Sequence, residues 1–152
     1  MRILVVSDSH GDEHSLALAV LAEPGASLII HLGDGERDMD AVAAQFPAME
    51  IVQVRGNGDI ASLAELTVVK TAGDKRLFCA HGDTFGVKQG GSGLEKAAKK
   101  AGADIVLYGH THEPVTRYKD GIHYMNPGSI RFGSYGVVDI TKAGVVTVLM
   151  KI

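Results

Sequence analysis

Three apolar runs in the first half of the chain have almost no alternation between hydrophobic and polar positions. They are "RILVVS" (2–7), "SLIIHLG" (27–33) and "EIVQVRG" (50–56). Such runs are typical of strands that are buried on both faces, as in parallel sheets. We therefore predict three parallel strands in this half of the protein.

Helical patterns separate these runs. The first predicted helix runs from Asp12 or Glu13 to about Ala22, with Asp12 as its N-cap and Pro24-Gly25 as its stop. The second covers 36–46 and ends before Pro47. The resulting βαβαβ order with short connections predicts a right-handed parallel arrangement.

The second half of the chain has a different pattern. It predicts two strands around a turn at 72–75, a helix over 94–102 with Gly102 at its C′ position, and a strand over 104–109. Closing strands follow at 121–129 and 135–152, the latter a hairpin that turns at 142–144. The sheet must therefore become mixed or double into two, and we predict one α/β domain over residues 1–152.

Composition excludes several classes of protein. The 152 residues are 45% hydrophobic and 22% charged, with a net charge of −3, which fits a soluble globular protein without the basic footprint of a nucleic-acid binder. The chain has no apolar h-region typical of a signal peptide, and no stretch approaches the roughly 18–20 apolar residues of a membrane span. The single cysteine, Cys79, lies in the apolar run "RLFCA", where it is expected in the core. This is consistent with a reducing cytoplasm.

Chemistry-bearing side chains follow five of the predicted strands, and glycine accompanies most of them. They are Asp8, His10, Asp34, Asn57, His81, His110 and His112. Because ligands bind at the carboxyl ends of parallel strands, we expect these side chains at one edge. Imidazole with carboxylate and amide oxygen suits Zn, Mn, Fe or Ni. Seven ligands are too many for one tetrahedral ion, but they suit two ions that share a bridging carboxylate.

Each residue has a plainer interpretation when taken alone. Asp8 or Ser9 could cap the following helix, and the Gly-Asp and Gly-Asn pairs could be ordinary turns. His81 could be a strand-end histidine without a ligand role. The most specific element is His-x-His at 110–112, because alternate residues of an extended segment can share one site. We assign no site role to His14, within a helix, or to His31, within a strand.

The motifs D-x-H, G-D, G-N, H-G and G-H-x-H, in this order between Asp8 and His112, resemble the calcineurin-like metallophosphoesterase superfamily. The length and the "NPGS" at 126–129 are similar to its small single-domain bacterial and archaeal phosphodiesterases. The resemblance implies an α/β fold in which two mixed β-sheets pack as a sandwich flanked by α-helices. It also implies a dinuclear site with manganese favoured and zinc, iron or nickel as alternatives.

The resemblance assigns a metal to each ligand. Asp8, His10 and His112 would bind the first ion. Asn57, His81 and His110 would bind the second, and Asp34 would bridge the two. Such a pair of ions clamps a phosphoryl group and lowers the pKa of a bridging water, whose hydroxide attacks phosphorus in line.

The function implied is a metal-dependent phosphodiesterase that hydrolyses small phosphate esters. The alternatives are a phosphomonoesterase or nucleotidase with the same site, and a non-catalytic interaction scaffold, as in the retromer subunit of this fold. Small members of the family often form homodimers or homotetramers. Phe85, Phe132 and Tyr135 on late loops could serve such a contact, although core packing is the commoner role.

The sequence departs from the larger family members at "GNGD" (56–59), where they have G-N-H-[DE]. Gly58 supplies no imidazole, so protonation of the leaving group would fall to water, His112 or Asp59. Arg37, Arg55 and Lys88 are candidates to hold a phosphate. The segment 125–133, which contains "NPGS", is expected to border the site or an oligomer contact.

Overall fold

The computed structural model describes residues 1–152 and contains ten strands and three α-helices. In chain order they are β1 (Arg2–Val6), α1 (Glu13–Ala22), β2 (Ala26–His31), α2 (Glu36–Ala43), β3 (Glu50–Gln53), β4 (Thr67–Ala72), β5 (Lys75–Ala80), α3 (Ser92–Ala101), β6 (Ile105–Tyr108), β7 (Val115–Lys119), β8 (Ile122–Asn126), β9 (Ser134–Thr141) and β10 (Gly144–Lys151). Short 3₁₀ turns occupy Asp83–Phe85, Val87–Gln89 and Ile130–Phe132.

The strands form two mixed five-stranded sheets. The first has the order β10-β9-β1-β2-β3, in which β1, β2 and β3 are parallel and β9 and β10 form an antiparallel hairpin. The second has the order β4-β5-β6-β8-β7, with β5, β6 and β8 parallel. The predicted parallel first half, the closing hairpin and the two-sheet fold are confirmed.

Alternate residues of the central strands face different layers. Ile3 and Val5 of β1 pack into a core between the two sheets, while Leu4 and Val6 pack against the layer of α1 and α2. On the far side of the second sheet, Phe78 and Val106 pack against α3. Because both faces of these strands are covered, their sequences are apolar throughout rather than alternating.

The predicted helix boundaries are confirmed in detail at two ends. The Asp12 side chain accepts a hydrogen bond from the Ser15 backbone N–H at 2.9 Å, and Gly102 ends α3 with a left-handed φ of 64°. Strand β7 was not predicted, because it is an edge strand whose five residues are all exposed and carry no apolar pattern. None of the helices is long and apolar enough to cross a membrane.

The late aromatic side chains and the cysteine have different environments. Cys79 is buried in the core between the sheets, as predicted, and burial raises its thiol pKa to about 12. Tyr135 is buried under α1, and Phe85 packs edge-on against Phe78 with ring centroids 5.8 Å apart. Only Phe132 is exposed among the three aromatic residues considered for an oligomer contact.

We expect the replacement Leu107→Ala to lower the free energy of unfolding by about 2–5 kcal/mol, because it opens a cavity in the core between the sheets. Urea denaturation of the metal-free protein measures this change. Val146→Ala on β10 is the control, since that side chain is 55% exposed and its loss should cost less than about 0.5 kcal/mol. Equal effects of the two replacements would contradict the assignment of Leu107 to the core.

His31 is fully buried at the end of β2. Its Nδ1 accepts a hydrogen bond from the Gly33 N–H at 3.3 Å, and its Nε2 has no partner. Burial lowers the His31 pKa to about 4, so the folded protein holds this ring neutral.

We therefore expect His31 to make folding sensitive to acid. Between pH 4 and about 6.5 the unfolded chain binds a proton that the folded protein does not, so stability falls as the pH falls. The loss of unfolding free energy from pH 7 to pH 5 should be about 2 kcal/mol smaller in His31→Gln than in the wild type. Urea denaturation of metal-free protein at both pH values tests this. His14→Gln, at an exposed position, is the control for replacing a histidine by glutamine.

Candidate metal centre

The predicted site lies where strands of both sheets end. After β1 and β2, backbone hydrogen bonds continue from Asp8 N–H to the Gly33 carbonyl at 3.0 Å and from His10 N–H to the Asp34 carbonyl at 3.1 Å. After β5 and β6, the Gly109 N–H donates to the His81 carbonyl at 2.8 Å. The expectation of one sheet edge is therefore replaced by two facing edges, one from each sheet.

Four imidazoles meet there in two pairs. The Nε2 atoms of His10 and His112 are 3.2 Å apart, and His110 Nδ1 lies 3.2 Å from His81 Nε2. Two nitrogen ligands of one ion, each at about 2.1 Å, stand roughly 3.0–3.4 Å apart. The spacing within each pair therefore fits two ligands of a common cation.

Two buried carboxylates complete the cluster, and each has one oxygen held by the protein. Asp8 Oδ2 accepts from the Ser7 hydroxyl at 2.5 Å and from the His110 N–H at 3.2 Å. Asp34 Oδ1 accepts from the Gly58 N–H at 2.6 Å. The other oxygen of each carboxylate faces the histidines.

The free oxygens lie between the imidazole pairs. Asp34 Oδ2 is 3.5 Å from His81 Nε2 and 3.9 Å from His10 Nε2, so it reaches one member of each pair. Asp8 Oδ1 is 3.1 Å from His112 Nε2 and is buried without any hydrogen-bond donor. A buried, unpartnered carboxylate oxygen among imidazole nitrogens fits a cation.

Asn57 stands apart from the other six predicted ligands. Its side chain is exposed and hydrogen-bonds to none of them. The neighbouring Gly58 N–H makes the contact with Asp34 instead. The structure thus brings six of the seven predicted side chains together, and the ligand roles of all seven stay predictions.

The protein fixes the tautomer of His81. Its Nδ1 lies 2.7 Å from the Leu32 carbonyl oxygen, which can only accept, so Nδ1 carries the hydrogen and Nε2 faces the site with its lone pair. Burial lowers the His81 pKa, but the Asp34 and Asp8 carboxylates outweigh it and raise the pKa overall. Burial would raise the Asp34 pKa, but His81 and the Gly58 N–H bring it to about 2. Asp34 is therefore ionised at neutral pH.

The backbone around the cluster is unusual. Seven residues other than glycine have positive φ angles, and five of them are predicted ligands: Asp8 (56°), His10 (46°), Asp34 (58°), His110 (69°) and His112 (60°). Left-handed backbone at such residues costs roughly 1 kcal/mol or more each and clusters at functional sites. Sequence reasoning from strand ends could not reveal this feature.

Glycines allow the loops to approach one another closely. A Cβ atom at Gly56 would overlap the Asp34 carboxylate and lie 2.5 Å from the Asp34 nitrogen. One at Gly109 would overlap the Ser7 hydroxyl and lie 2.9 Å from Asp8 Oδ2. The glycines beside the predicted ligands thus provide space for the carboxylates.

The "NPGS" segment supports the ligand loops from behind. The buried Asn126 side chain donates to the Gly109 carbonyl at 2.8 Å and to Thr111 Oγ1 at 3.0 Å, on either side of His110. The Ser129 hydroxyl donates to the Asp8 carbonyl at 2.7 Å. This segment therefore borders the site. Sequence reasoning noted it but could not assign these bonds, because its partners are distant in the chain.

A cavity of about 490 Å³ opens beside the cluster. His10, Gly11, Asp34 and Gly35 form part of its wall, and the start of α2 and residues 58–62 form the rest. The exposed Arg37 lines this cavity. Arg55 is not among its lining residues. Its guanidinium instead donates to the Ser62 carbonyl at 3.4 Å, which supports the loop between β3 and β4.

Two buried carboxylates and four imidazoles, gathered at the ends of two facing sheets, define a protein with a candidate metal site. A family model of the calcineurin-like phosphoesterase superfamily domain matches residues 1–143. The chain belongs to the calcineurin-like phosphoesterase superfamily.

Named relatives agree with this assignment. The probable metallophosphoesterase YsnB of Bacillus subtilis is 35% identical over 133 residues, which are 86% of this chain and 76% of YsnB. Phosphodiesterase YfcE of Escherichia coli K12 is 28% identical over 172 aligned positions, covering 91% of this chain and 88% of YfcE. Vacuolar protein sorting-associated protein 29 of Schizosaccharomyces pombe is 28% identical over 134 residues, which cover 85% of this chain and 72% of the yeast protein.

A solved structure has the same fold. The crystal structure of a predicted phosphoesterase from Streptococcus pneumoniae TIGR4 superposes with a TM-score of 0.85 at 28% sequence identity. The superposition covers 99% of this chain and 88% of the Streptococcus chain. The predicted fold, two mixed sheets flanked by helices, is therefore confirmed.

We expect Gly56→Ala to weaken Mn²⁺ binding by about 10- to 100-fold, because the added methyl displaces the Asp34 carboxylate and its backbone. Isothermal titration calorimetry of the metal-free protein measures the affinity. Gly25→Ala is the control, since a Cβ there meets no atom within 4 Å. Wild-type affinity in Gly56→Ala would refute the close approach described above.

Proposed function

We propose that this protein is a metal-dependent phosphodiesterase that hydrolyses small phosphate esters at a dinuclear site. The observation that carries the proposal is the position of Asp34 Oδ2 between two imidazole pairs, within 3.9 Å of His10 and 3.5 Å of His81. One carboxylate oxygen that reaches both pairs is suited to bridge two ions. The name of the relative YfcE, a phosphodiesterase, supports the reaction class.

The donor atoms divide into two sets. Asp8, His10 and His112 would hold the first ion, since these three form one compact group of possible ligand atoms. His81 and His110 would hold the second, with Asn57 as the remaining proposed ligand and Asp34 shared. The structure also groups Asp8 and Asp34 with His81, so both carboxylates lie near the second set. Manganese is the favoured metal, and zinc, iron and nickel suit the same atoms.

When bound by these residues, two ions would supply charge neutralisation at the phosphoryl oxygens and an activated water as the nucleophile. The protein's own residues prepare the site for them. Ser7 and the Gly58 N–H each hold one carboxylate oxygen and direct the other into the cluster. The Leu32 carbonyl keeps the His81 Nε2 lone pair available. These hydrogen bonds fix the ligands before a metal binds.

The cavity beside the cluster suits a small ester. Its Arg37 can pair with a phosphoryl oxygen, whereas carboxylates of Glu36, Asp38 and Asp40 also line it and would repel a polyanion. A small, singly charged diester is therefore favoured over a nucleic acid.

The leaving group receives little help from the loop at 56–59. Gly58 has no side chain, and four backbone N–H groups hold the Asp59 carboxylate. Burial would raise the Asp59 pKa, but these bonds lower it overall, so Asp59 is ionised and cannot donate a proton at neutral pH. Of the three proton sources considered, water and His112 remain. Esters with a stable leaving group are the preferred substrates.

Two alternatives use the same fold. A phosphomonoesterase or nucleotidase would need only a different substrate preference. A non-catalytic scaffold is the second alternative, prompted by the likeness to the sorting-associated protein of Schizosaccharomyces pombe. The convergence of six competent metal ligands favours catalysis.

A cytoplasmic location and a homodimer or homotetramer belong to the same proposal.

The substrate class can be tested with bis-p-nitrophenyl phosphate and p-nitrophenyl phosphate, each assayed on metal-stripped protein and after Mn²⁺ is restored. We expect turnover that requires metal and is faster for the diester. Faster hydrolysis of the monoester would favour the phosphatase. Metal-loaded protein without activity on either ester would favour the scaffold.

The replacement Asp34→Ala should abolish hydrolysis of the diester, because it removes the carboxylate that both sets of ligands share. Activity and bound metal, measured by atomic emission, should fall together. Asp74→Ala removes a carboxylate that is 74% exposed and should retain both. Wild-type turnover in metal-loaded Asp34→Ala would contradict the dinuclear assignment.

A further inference from the structure

Asp59 is not among the predicted ligands, yet its carboxylate accepts four hydrogen bonds from the loops that carry them. Asp59 Oδ2 accepts from the N–H groups of Asp34 and Gly56, both at 2.8 Å. Asp59 Oδ1 accepts from the N–H groups of Gly35 at 2.8 Å and Glu36 at 3.0 Å. One side chain thus satisfies four backbone donors.

These four donors belong to two separate parts of the chain. Three lie in the turn that carries Asp34 and begins α2, and the fourth lies at the end of the segment after β3, next to Asn57. The turn has a left-handed φ of 58° at Asp34, and Gly35 has a φ of 157°. Successive N–H groups in such a turn point to one side, where they can bind an anion. Here the anion is a carboxylate from the facing loop.

We propose that Asp59 is a positioning residue that holds the turn bearing Asp34 against the loop bearing Asn57, and thereby sets the geometry of the bridging ligand. The inference rests on the proposed function. The loop at 56–59 makes two hydrogen bonds with Asp34. Asp59 Oδ2 accepts from the Asp34 N–H, and the Gly58 N–H donates to Asp34 Oδ1. Asp59 fixes the backbone of Asp34, and Gly58 fixes its side chain.

This role explains why a carboxylate is required at position 59. Four N–H donors need an acceptor with two oxygens, and an ionised carboxylate provides both. An amide of the same shape has one oxygen, and its NH₂ group would face backbone donors. Asp59→Asn therefore disrupts the contact with almost no change in volume.

Asp59→Asn should weaken Mn²⁺ binding by about 10- to 100-fold, the range seen when partners of metal ligands are replaced. The kcat for bis-p-nitrophenyl phosphate at saturating Mn²⁺ should fall while KM changes less than about threefold, because both Asp59 oxygens accept hydrogen bonds from backbone N–H groups rather than holding the substrate. Asp74→Asn is the matched control, since it removes the same charge at a site 74% exposed. It should retain the wild-type Mn²⁺ affinity and kcat.

Amide hydrogen exchange of the metal-free protein provides a readout that is independent of activity. The N–H groups of Asp34, Gly35, Glu36 and Gly56 should exchange faster in Asp59→Asn, while those of Met39 and Val42 in α2 should not change. A purely global stabilising role would instead accelerate exchange throughout α2 and leave the Mn²⁺ affinity of the folded protein intact.

Either wild-type Mn²⁺ affinity with wild-type kcat, or unchanged exchange at the four N–H groups, would overturn the inference. If Asp59→Asn does not fold, the wild type still tests it, because rapid exchange at these four groups in the metal-free protein would also overturn it. Failure of the proposed function has a different signature, namely a wild type that binds no Mn²⁺ or hydrolyses neither ester.

Discussion

The site depends on the burial of two carboxylates, Asp8 and Asp34, within a few ångströms of each other. Removing such charges from water costs several kcal/mol each unless other groups compensate. In each carboxylate the protein provides hydrogen-bond donors to only one of the two oxygens. One oxygen accepts hydrogen bonds from Ser7, the His110 N–H or the Gly58 N–H, and the other is left facing imidazole nitrogens. A cation placed there would complete that compensation, which makes the cluster a candidate metal site.

The fold supplies the backbone for this arrangement by ending strands of two sheets at the same place. Strands β1 and β2 deliver Asp8, His10 and Asp34, and strands β5 and β6 deliver the other three histidines of the cluster. Each strand end must turn sharply so that its side chain points into the gap between the sheets. Five of the predicted ligands consequently adopt left-handed backbone, which is unfavourable for residues with a side chain. The hydrogen bonds of Asn126, Ser129 and Asp59 stabilise these turns.

Much of the fold could be predicted because the central strands carry an unambiguous pattern. The apolar runs Ile3–Val6 of β1 and Leu28–Ile30 of β2 indicate strands covered on both faces, and Pro or Gly marks the ends of the first helices. Strand β7 shows the limit of this approach. All five of its residues are exposed, so burial imposes no pattern on them, and only pairing with β8 makes them a strand.

The sequence by itself placed the side chains of the site at the ends of apolar runs, and the motifs that they form resemble one superfamily, which implied the class of protein and the two-sheet fold. It could do so because these motifs are specific in combination and in this order, although each residue alone has a plainer interpretation. Only the tertiary structure decided how those side chains are arranged: which imidazoles form pairs, that Asp34 lies between the pairs, and that Asn57 remains exposed. It also decided the role of Asp59, which in the sequence is a polar residue after a turn. Distances between residues far apart in the chain depend on how the two sheets pack, and local pattern carries no information about that packing.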